Sequence, residues 1–375
     1  MNFPLEAYLS DLATLCAIDS GDANREGTNA MADYFEARYR AMGLHVERRY
    51  YENNDFAPFL LAENGAADTP IDVLLVAHMD TVFPVGEGAS RPFKVDPQGI
   101  GRGPGCVDCK GGCLMIEYLV RQWMQEGVSF HFCVAMNSDE ERGSQYSRAY
   151  FEELAQRAKR CFIFEPGRAN GEFVTQRKGG ANYLIRCHGV AAHSGVNPQD
   201  GASAIIELAR WLPELQSLND YKTGTTLNIG RIDGGGDRGQ VPDYCECTVS
   251  FRTLDPKALS MLETQFRQMT EHPFDPRTQI EIQQVSQRPA MILHPASAAL
   301  LSALERVGER EEIPICHLST GGGSDGNFIS HYGVATLDGC GPCGAALHTK
   351  DEYMISSSIE QRFRLMNRLI HEITE

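Results

Sequence analysis

The chain has 375 residues, 42% hydrophobic and 22% charged, with a formal net charge of -16. At roughly one domain per ~150 residues, this allows two or three domains of an ordinary globular protein. The acidic balance, without any lysine and arginine run, disfavours nucleic acid as a partner, and no apolar run approaches the ~20 residues of a membrane span.

The opening stretch "MNFPLEAYLSDLATLCAIDS" has no basic leader and places Leu5, Leu9, Leu12 and Leu15 at helical spacing. It reads as an amphipathic helix, not a signal peptide. With twelve cysteines in the chain, this points to a reducing cytoplasm in which most thiols are buried. A second helix is predicted over 24–44, ending at Gly43. The unbroken apolar run Val73 to Ala77 within 71–80 predicts a strand buried on both faces. A helix over 111–127 follows, then buried strands over 129–137 and 160–166. Strands alternating with helices indicate an α/β layered domain with a mainly parallel sheet, whose chemistry gathers where strands end.

From Lys178 the pattern changes to strand (181–189), helix (200–217), two strands (225–233 and 244–254), helix (255–271) and strand (278–286). That βαββαβ order describes a small α+β sandwich with one sheet. Near Arg288-Pro289 the first pattern resumes, with a helix over 296–310, a glycine loop, a strand over 333–338 and a last helix from about Ser357. The expectation is a three-layer catalytic domain (1–177 and 288–375) interrupted by a smaller α+β dimerisation or lid domain (178–287).

The polar residues at the strand ends are unremarkable singly. His78-Met-Asp80 closes the first buried strand, and positions two apart share a strand face, so Asp80 is placed to orient the His78 ring. Asp108 lies in the glycine-rich turn "GRGPGCVDCKGG", where capping the next helix is the plain alternative. "NSDEERGS" brings Glu140 and Glu141 to the end of the second buried strand, "FEPG" puts Glu165 at the end of the third, and "LHTKDEY" supplies His348. Together these carboxylates and imidazoles would repel one another and resist ionising unless divalent cations join them. Mixed nitrogen and oxygen donors suit Zn²⁺, with Co²⁺ or Mn²⁺ as substitutes.

With "VAHMDTVFP", "AAHSG", "LNIGRIDGG", "VSFRT" and "GGGSDGN" added in the same order, the chain resembles the dinuclear-zinc exopeptidases and amidohydrolases. That family includes glutamate carboxypeptidase, aminoacylase, acetylornithine deacetylase and succinyl-diaminopimelate desuccinylase, and the glutamate carboxypeptidases are the nearest likeness. The resemblance implies two Zn²⁺: His78 and Glu165 on one, Glu141 and His348 on the other, Asp108 bridging both. Glu140 would be the general base, and the Asp108-Cys109 peptide would be cis. It further implies a homodimer in which His193 stabilises the oxyanion in the opposite subunit's site. Arg252 would clamp a substrate carboxylate, aided by Asn228 and by the loop of Gly322, Gly323 and Ser324. The implied substrate is a small molecule or short peptide with a free carboxylate, and Glu at position 165 leans towards a carboxypeptidase or deacylase.

Two CxxC pairs, Cys106/Cys109 and Cys340/Cys343, raise competing readings. A thioredoxin-like dithiol needs its first cysteine at a helix N-terminus, whereas glycines and Pro342 surround the second pair. A four-cysteine zinc site has legitimate spacing, but Asp108 lies inside one pair and His348 just past the other. The expected activity is therefore hydrolysis of an amide or peptide bond, with an N-acyl amino acid deacylase as the alternative. An inactive binding protein of the same fold is a remote third reading.

Overall fold

The computed structural model describes residues 3–21, 24–51 and 56–375. The chain forms two compact units: Met1–Gln176, Ile292–Thr320 and Ser324–Glu375 make the first, and Arg177–Met291 with Gly321–Gly323 the second.

The first unit is built around the apolar run read from the sequence. Val73–His78 is a strand buried at every position. Its residues divide between two cores with a period of two. Val73, Leu75 and Ala77 face one cluster, with Leu12, Leu114, Leu304 and Leu369. Leu74 and Val76 face the other, with Phe151 and Ile329. Such two-sided burial is what a parallel strand between helical layers requires. Phe132–Asn137 and Arg160–Ile163 flank it in parallel, and Ala335–Leu337 pairs in parallel with Arg160–Ile163. Phe59–Glu63 and then His45–Arg49 add an antiparallel edge, completing a six-stranded sheet.

The helix Lys110–Glu126 is buried almost throughout its first three turns and stops at Gly127, whose φ of 68° suits a left-handed C-terminal cap. Its start presses directly on the sheet. A Cβ at Gly112 would stand 1.9 Å from the Phe164 carbonyl oxygen, so only glycine fits there. The first helix, Leu5–Cys16, is fastened to the same place by the Tyr8 hydroxyl, which donates to the Gly111 carbonyl at 2.6 Å.

The second unit carries a four-stranded antiparallel sheet, ordered Thr226–Gly234, Tyr244–Thr253, Gly179–His188, Gln279–Arg288. Burial alternates strictly along Gly179–His188, as expected for a sheet with one packed face. Helices Ala204–Gln216 and Pro256–Glu271 pack Leu208, Trp211, Leu262, Phe266 and Met269 against Ile185, Val249 and Phe251. Among the described residues no helix is long and apolar enough to cross a membrane.

Candidate metal centre

The first unit's strand ends deliver the polar residues. His78 is the last residue of its strand and is buried. Glu165 follows the end of Arg160–Ile163. Glu140 and Glu141 open a single helical turn, Glu140–Arg142, after the strand Phe132–Asn137. The turn is braced by Asp139, whose carboxylate accepts the Tyr146 and Ser147 N–H groups at 2.8 and 3.2 Å. Asp108 precedes the helix Lys110–Glu126, and its peptide bond to Cys109 is cis. His348 sits in a turn with φ of 63°, a left-handed backbone that residues with a Cβ seldom adopt.

These side chains converge on Asp108. Its Oδ1 lies 3.1 Å from His78 Nε2, and its Oδ2 lies 3.2 Å from His348 Nε2. His78 Nε2 also has Glu165 Oε1 at 3.6 Å, and His348 Nε2 has Glu141 Oε2 at 3.2 Å. One carboxylate thus offers one oxygen to each of two imidazole–carboxylate pairs. Glu140 brings a carboxylate oxygen within 4.8 Å of donor atoms of His78 and Glu165. His78 Nδ1 is 3.0 Å from the main-chain carbonyl of Asp80 and 3.5 Å from its Oδ1. The nearer of the two, the main-chain oxygen, therefore sets the ring's tautomer, with Nε2 turned to the site. Asp80 Oδ2 accepts the Glu141 N–H at 2.9 Å, tying the His78 strand to the glutamate turn.

The charges respond to this crowding. Hydrogen bonds to Asp108 and then Glu141 push the His348 ring up to about 10. Burial opposes ionisation of Asp108, but the His348 and His78 rings outweigh it and hold the carboxyl well below the usual carboxylate range. Burial is the main reason Glu141 is pushed up to about 7, against the hydrogen-bonding pull of His348.

The donor set fits metal ions on three counts. Ligands about 2.0–2.2 Å from a tetrahedral ion lie roughly 3.3–3.6 Å apart, close to the 3.1–3.6 Å found here. Glu141 Oε1 is buried without a hydrogen-bond partner, an oxygen that a cation would satisfy. Finally, the carboxylates outnumber the imidazoles. Among the described residues, two groups of three donors lie within 4.8 Å of one another, His78/Glu140/Glu165 and His78/Asp108/Glu141, and neither contains a cysteine. The thiols of the CxxC pairs are free and buried. Cys109 Sγ donates to the Phe164 carbonyl at 3.1 Å and Cys340 Sγ to the Leu337 carbonyl at 3.4 Å.

In the second unit the sequence-predicted residues occupy the sheet and its loops. Arg252 lies on Tyr244–Thr253 beside Gly180, where a Cβ would stand 2.7 Å from Arg252 Cδ. Glycine at 180 therefore leaves the arginine its space. Among the described residues no carboxylate forms an ion pair with Arg252. Asn228 is exposed on Thr226–Gly234. His193 is exposed, and its Nδ1 accepts the Gly195 and Val196 N–H groups at 3.1 and 3.2 Å, which assigns the ring proton to Nε2. The carbonyls of Gly322 and Gly323 accept Arg177 Nη1 at 3.2 Å each.

Ser324 has a different task from the substrate contact expected of it. It is fully buried in the first unit, its N–H donating to Asn327 Oδ1 at 2.9 Å and its hydroxyl to Asp338 Oδ2 at 2.5 Å. The sequence reading also passed over Glu352, which accepts N–H groups from the Asp108 turn. Its only sequence signal was its place in "LHTKDEY", where Asp351-Glu352 looks like a solvated acidic pair.

The model for Peptidase family M20/M25/M40 matches residues 74–372. Carboxypeptidase G2 of Pseudomonas sp. (strain RS-16) is 25% identical over 383 residues, covering 98% of this chain and 89% of that protein. Succinyl-diaminopimelate desuccinylase of Hydrogenovibrio crunogenus is 25% identical, covering 84% of this chain and 89% of that protein. Among solved structures, aminopeptidase PepT from Bacillus cereus ATCC 10987 superposes with a TM-score of 0.76 at 19% identity, over 99% of each chain, a likeness of fold.

Proposed function

The chain belongs to peptidase family M20/M25/M40, and on that premise we propose a dinuclear zinc exopeptidase that removes a residue with a free carboxylate, in the manner of a glutamate carboxypeptidase. The enzyme class is that of the family, a metal-dependent hydrolase of peptide or amide bonds. One observation carries the finer reading: the two oxygens of Asp108 face two different imidazoles, each with its own second carboxylate. That is the donor pattern of two ions sharing a bridge. His78 and Glu165 would hold one ion, Glu141 and His348 the other, and Co²⁺ or Mn²⁺ would substitute for Zn²⁺.

When bound, the ions supply Lewis acidity towards a water and an amide carbonyl. The chain's own residues do the rest. Glu140 and Glu141 are consecutive in one turn, so one carboxylate ligates while the other is left to handle protons. Glu140 takes the proton of the attacking water and delivers it to the departing nitrogen, which splits the amide without charge separation in bulk solvent. Asp80 keeps His78 oriented through its main-chain carbonyl, its carboxylate standing 3.5 Å away as a nearby charge. His193, protonated on Nε2, donates to the oxyanion of the partner subunit's substrate in a homodimer. Arg252, which pairs with no carboxylate among the described residues, clamps the substrate carboxylate with help from Asn228 and from the N–H groups of Gly322 and Gly323. Ser324 is left out, its polar groups being engaged inside the first unit. The enzyme works in the cytoplasm on this reading, where its twelve cysteines stay reduced.

The likeness to a desuccinylase carries a second reading, an N-acyl amino acid deacylase. A panel of C-terminal glutamate dipeptides, folate-type glutamates and N-acetyl or N-succinyl amino acids, assayed with the metal-replete protein before and after chelation, separates the two. Cleavage of none of these, or cleavage that survives chelation, would sink both.

A further inference from the structure

Glu352 is fully buried at the end of the turn that carries His348. Its Oε2 accepts the Gly105 N–H at 3.1 Å, and its Oε1 accepts those of Val107 and Asp108 at 2.9 and 3.2 Å. Gly105, Val107 and Asp108 are themselves buried in an irregular turn, so no helix or strand ladder is there to satisfy their N–H groups. Three donors converging from one side need an acceptor with several lone pairs and no hydrogen of its own, which among side chains only a carboxylate provides.

The segment from His348 to Glu352 therefore grips Asp108 at two levels. His348 Nε2 meets the Asp108 side chain at 3.2 Å, and Glu352 holds the Asp108 main chain. The backbone on either side of the brace is fixed too. Arg102 Nη1 donates to the Asp351 carbonyl at 3.1 Å, and Tyr353 begins a strand paired antiparallel with Ile100–Arg102. Thr349 Oγ1 donates to the Ala346 carbonyl at 2.7 Å, closing the turn around His348. With both turns immobilised, the Glu352 carboxylate is the strut that sets the distance between the His348 ring and Asp108.

We infer that Glu352 is a positioning residue of the metal centre: by holding the Asp108 turn against the His348 turn, it fixes the coordination space on the His348–Glu141 side. The inference rests on the reading of that cluster as a two-ion site. Outer groups that orient ligands typically govern about 10–100-fold in metal affinity. Glu352→Gln keeps the volume and one oxygen for Val107 and Asp108 but turns an NH₂ towards the Gly105 N–H. Glu352→Asp keeps the charge and withdraws the carboxylate by one methylene.

The test strips wild type and both variants of metal and titrates them with Zn²⁺ against a chelating indicator and with Co²⁺ by visible absorption. Thermal unfolding of the metal-free proteins and kcat and KM at saturating metal complete it. Wild type should bind two ions. Glu352→Gln should bind one of them roughly 10–100-fold more weakly, with a changed Co²⁺ spectrum and a lower kcat at unchanged KM, and Glu352→Asp should show the same in greater degree. Wild-type affinity for both ions and an unaltered spectrum in either folded variant, even with a lowered unfolding temperature, overturns the inference and leaves the two-ion reading standing. A wild type that takes up no second ion overturns both.

Discussion

The two units meet the same problem, presenting charged groups for chemistry, in opposite ways. In the first, side chains from five separated stretches are joined in a chain of contacts of 3.1–3.6 Å, Glu165 to His78 to Asp108 to His348 to Glu141. In the second, Arg252 and Asn228 sit on paired strands and His193 on a separate short strand, all at least partly exposed, and among the described residues no carboxylate pairs with Arg252. A crowd of buried like charges is unstable unless something neutralises it, so the first arrangement announces a cation from its own coordinates. An arginine without an ion pair on a half-exposed sheet costs little, so the second arrangement is stable as it stands. Convergence of this kind marks a metal site; exposed polar groups on a sheet carry no such mark.

That contrast can be broken in several places. Glu140→Gln should lower kcat by roughly 10³-fold while bound metal, read by elemental analysis, stays at the wild-type level. Turnover unchanged in a metal-replete variant would remove Glu140 from the proton path. Arg252→Ala should act on the other side of the comparison. Losing a charge-assisted hydrogen bond of about 2 kcal/mol corresponds to roughly a 30-fold rise in KM for carboxylate substrates, with metal content intact. Equal effects on esterified and free-acid substrates would show that Arg252 does not read the carboxylate.

Protons provide a third test. Without metal the His348 ring stays protonated up to about 10 and Glu141 up to about 7. Ligation requires both to lose their protons, so binding releases protons and apparent affinity falls as pH falls. The slope between about pH 7 and 10 should be at least about tenfold per unit from His348 alone, steepening below 7 as Glu141 joins. Calorimetry in buffers of different ionisation enthalpy reads the release directly, and heats that ignore the buffer would contradict it. The smallest effect belongs to the cysteines. Cys340→Ser should leave kcat/KM within about twofold and lower stability by roughly 1–2 kcal/mol, the cost of a more polar group in an apolar niche. A large loss of activity with both ions in place would restore the thiol chemistry that the CxxC spelling suggests.

Much of the first unit was legible because its signals are strong and local. A continuous apolar run such as Val73 to Ala77 has few alternatives to a doubly covered strand, and the helix over 111–127 is long, apolar and closed by Gly127. The antiparallel edge was not foreseen. His45–Arg49 is short, charged and half-exposed, as edge strands that resist pairing with other chains tend to be, and such a stretch carries no apolar alternation to read. Glu352 escaped for a related reason. Its hydrogen-bond partners lie about 245 positions away, and an acidic pair in a loop ordinarily belongs to solvent. Ser324 was misjudged because a glycine loop suggests open backbone, whereas burial there depends on Asn327 and Asp338, which only the folded chain brings alongside.

The missing side chain at position 112 has a consequence of its own. Because the helix after Asp108 rests backbone against backbone on the residue preceding Glu165, the gap between Asp108 and Glu165 is gauged by main-chain atoms, which differ little from one amino acid to another. Surrounding residues can then be exchanged without retuning the inorganic chemistry. Side chains elsewhere are free to drift while this spacing keeps its dimensions.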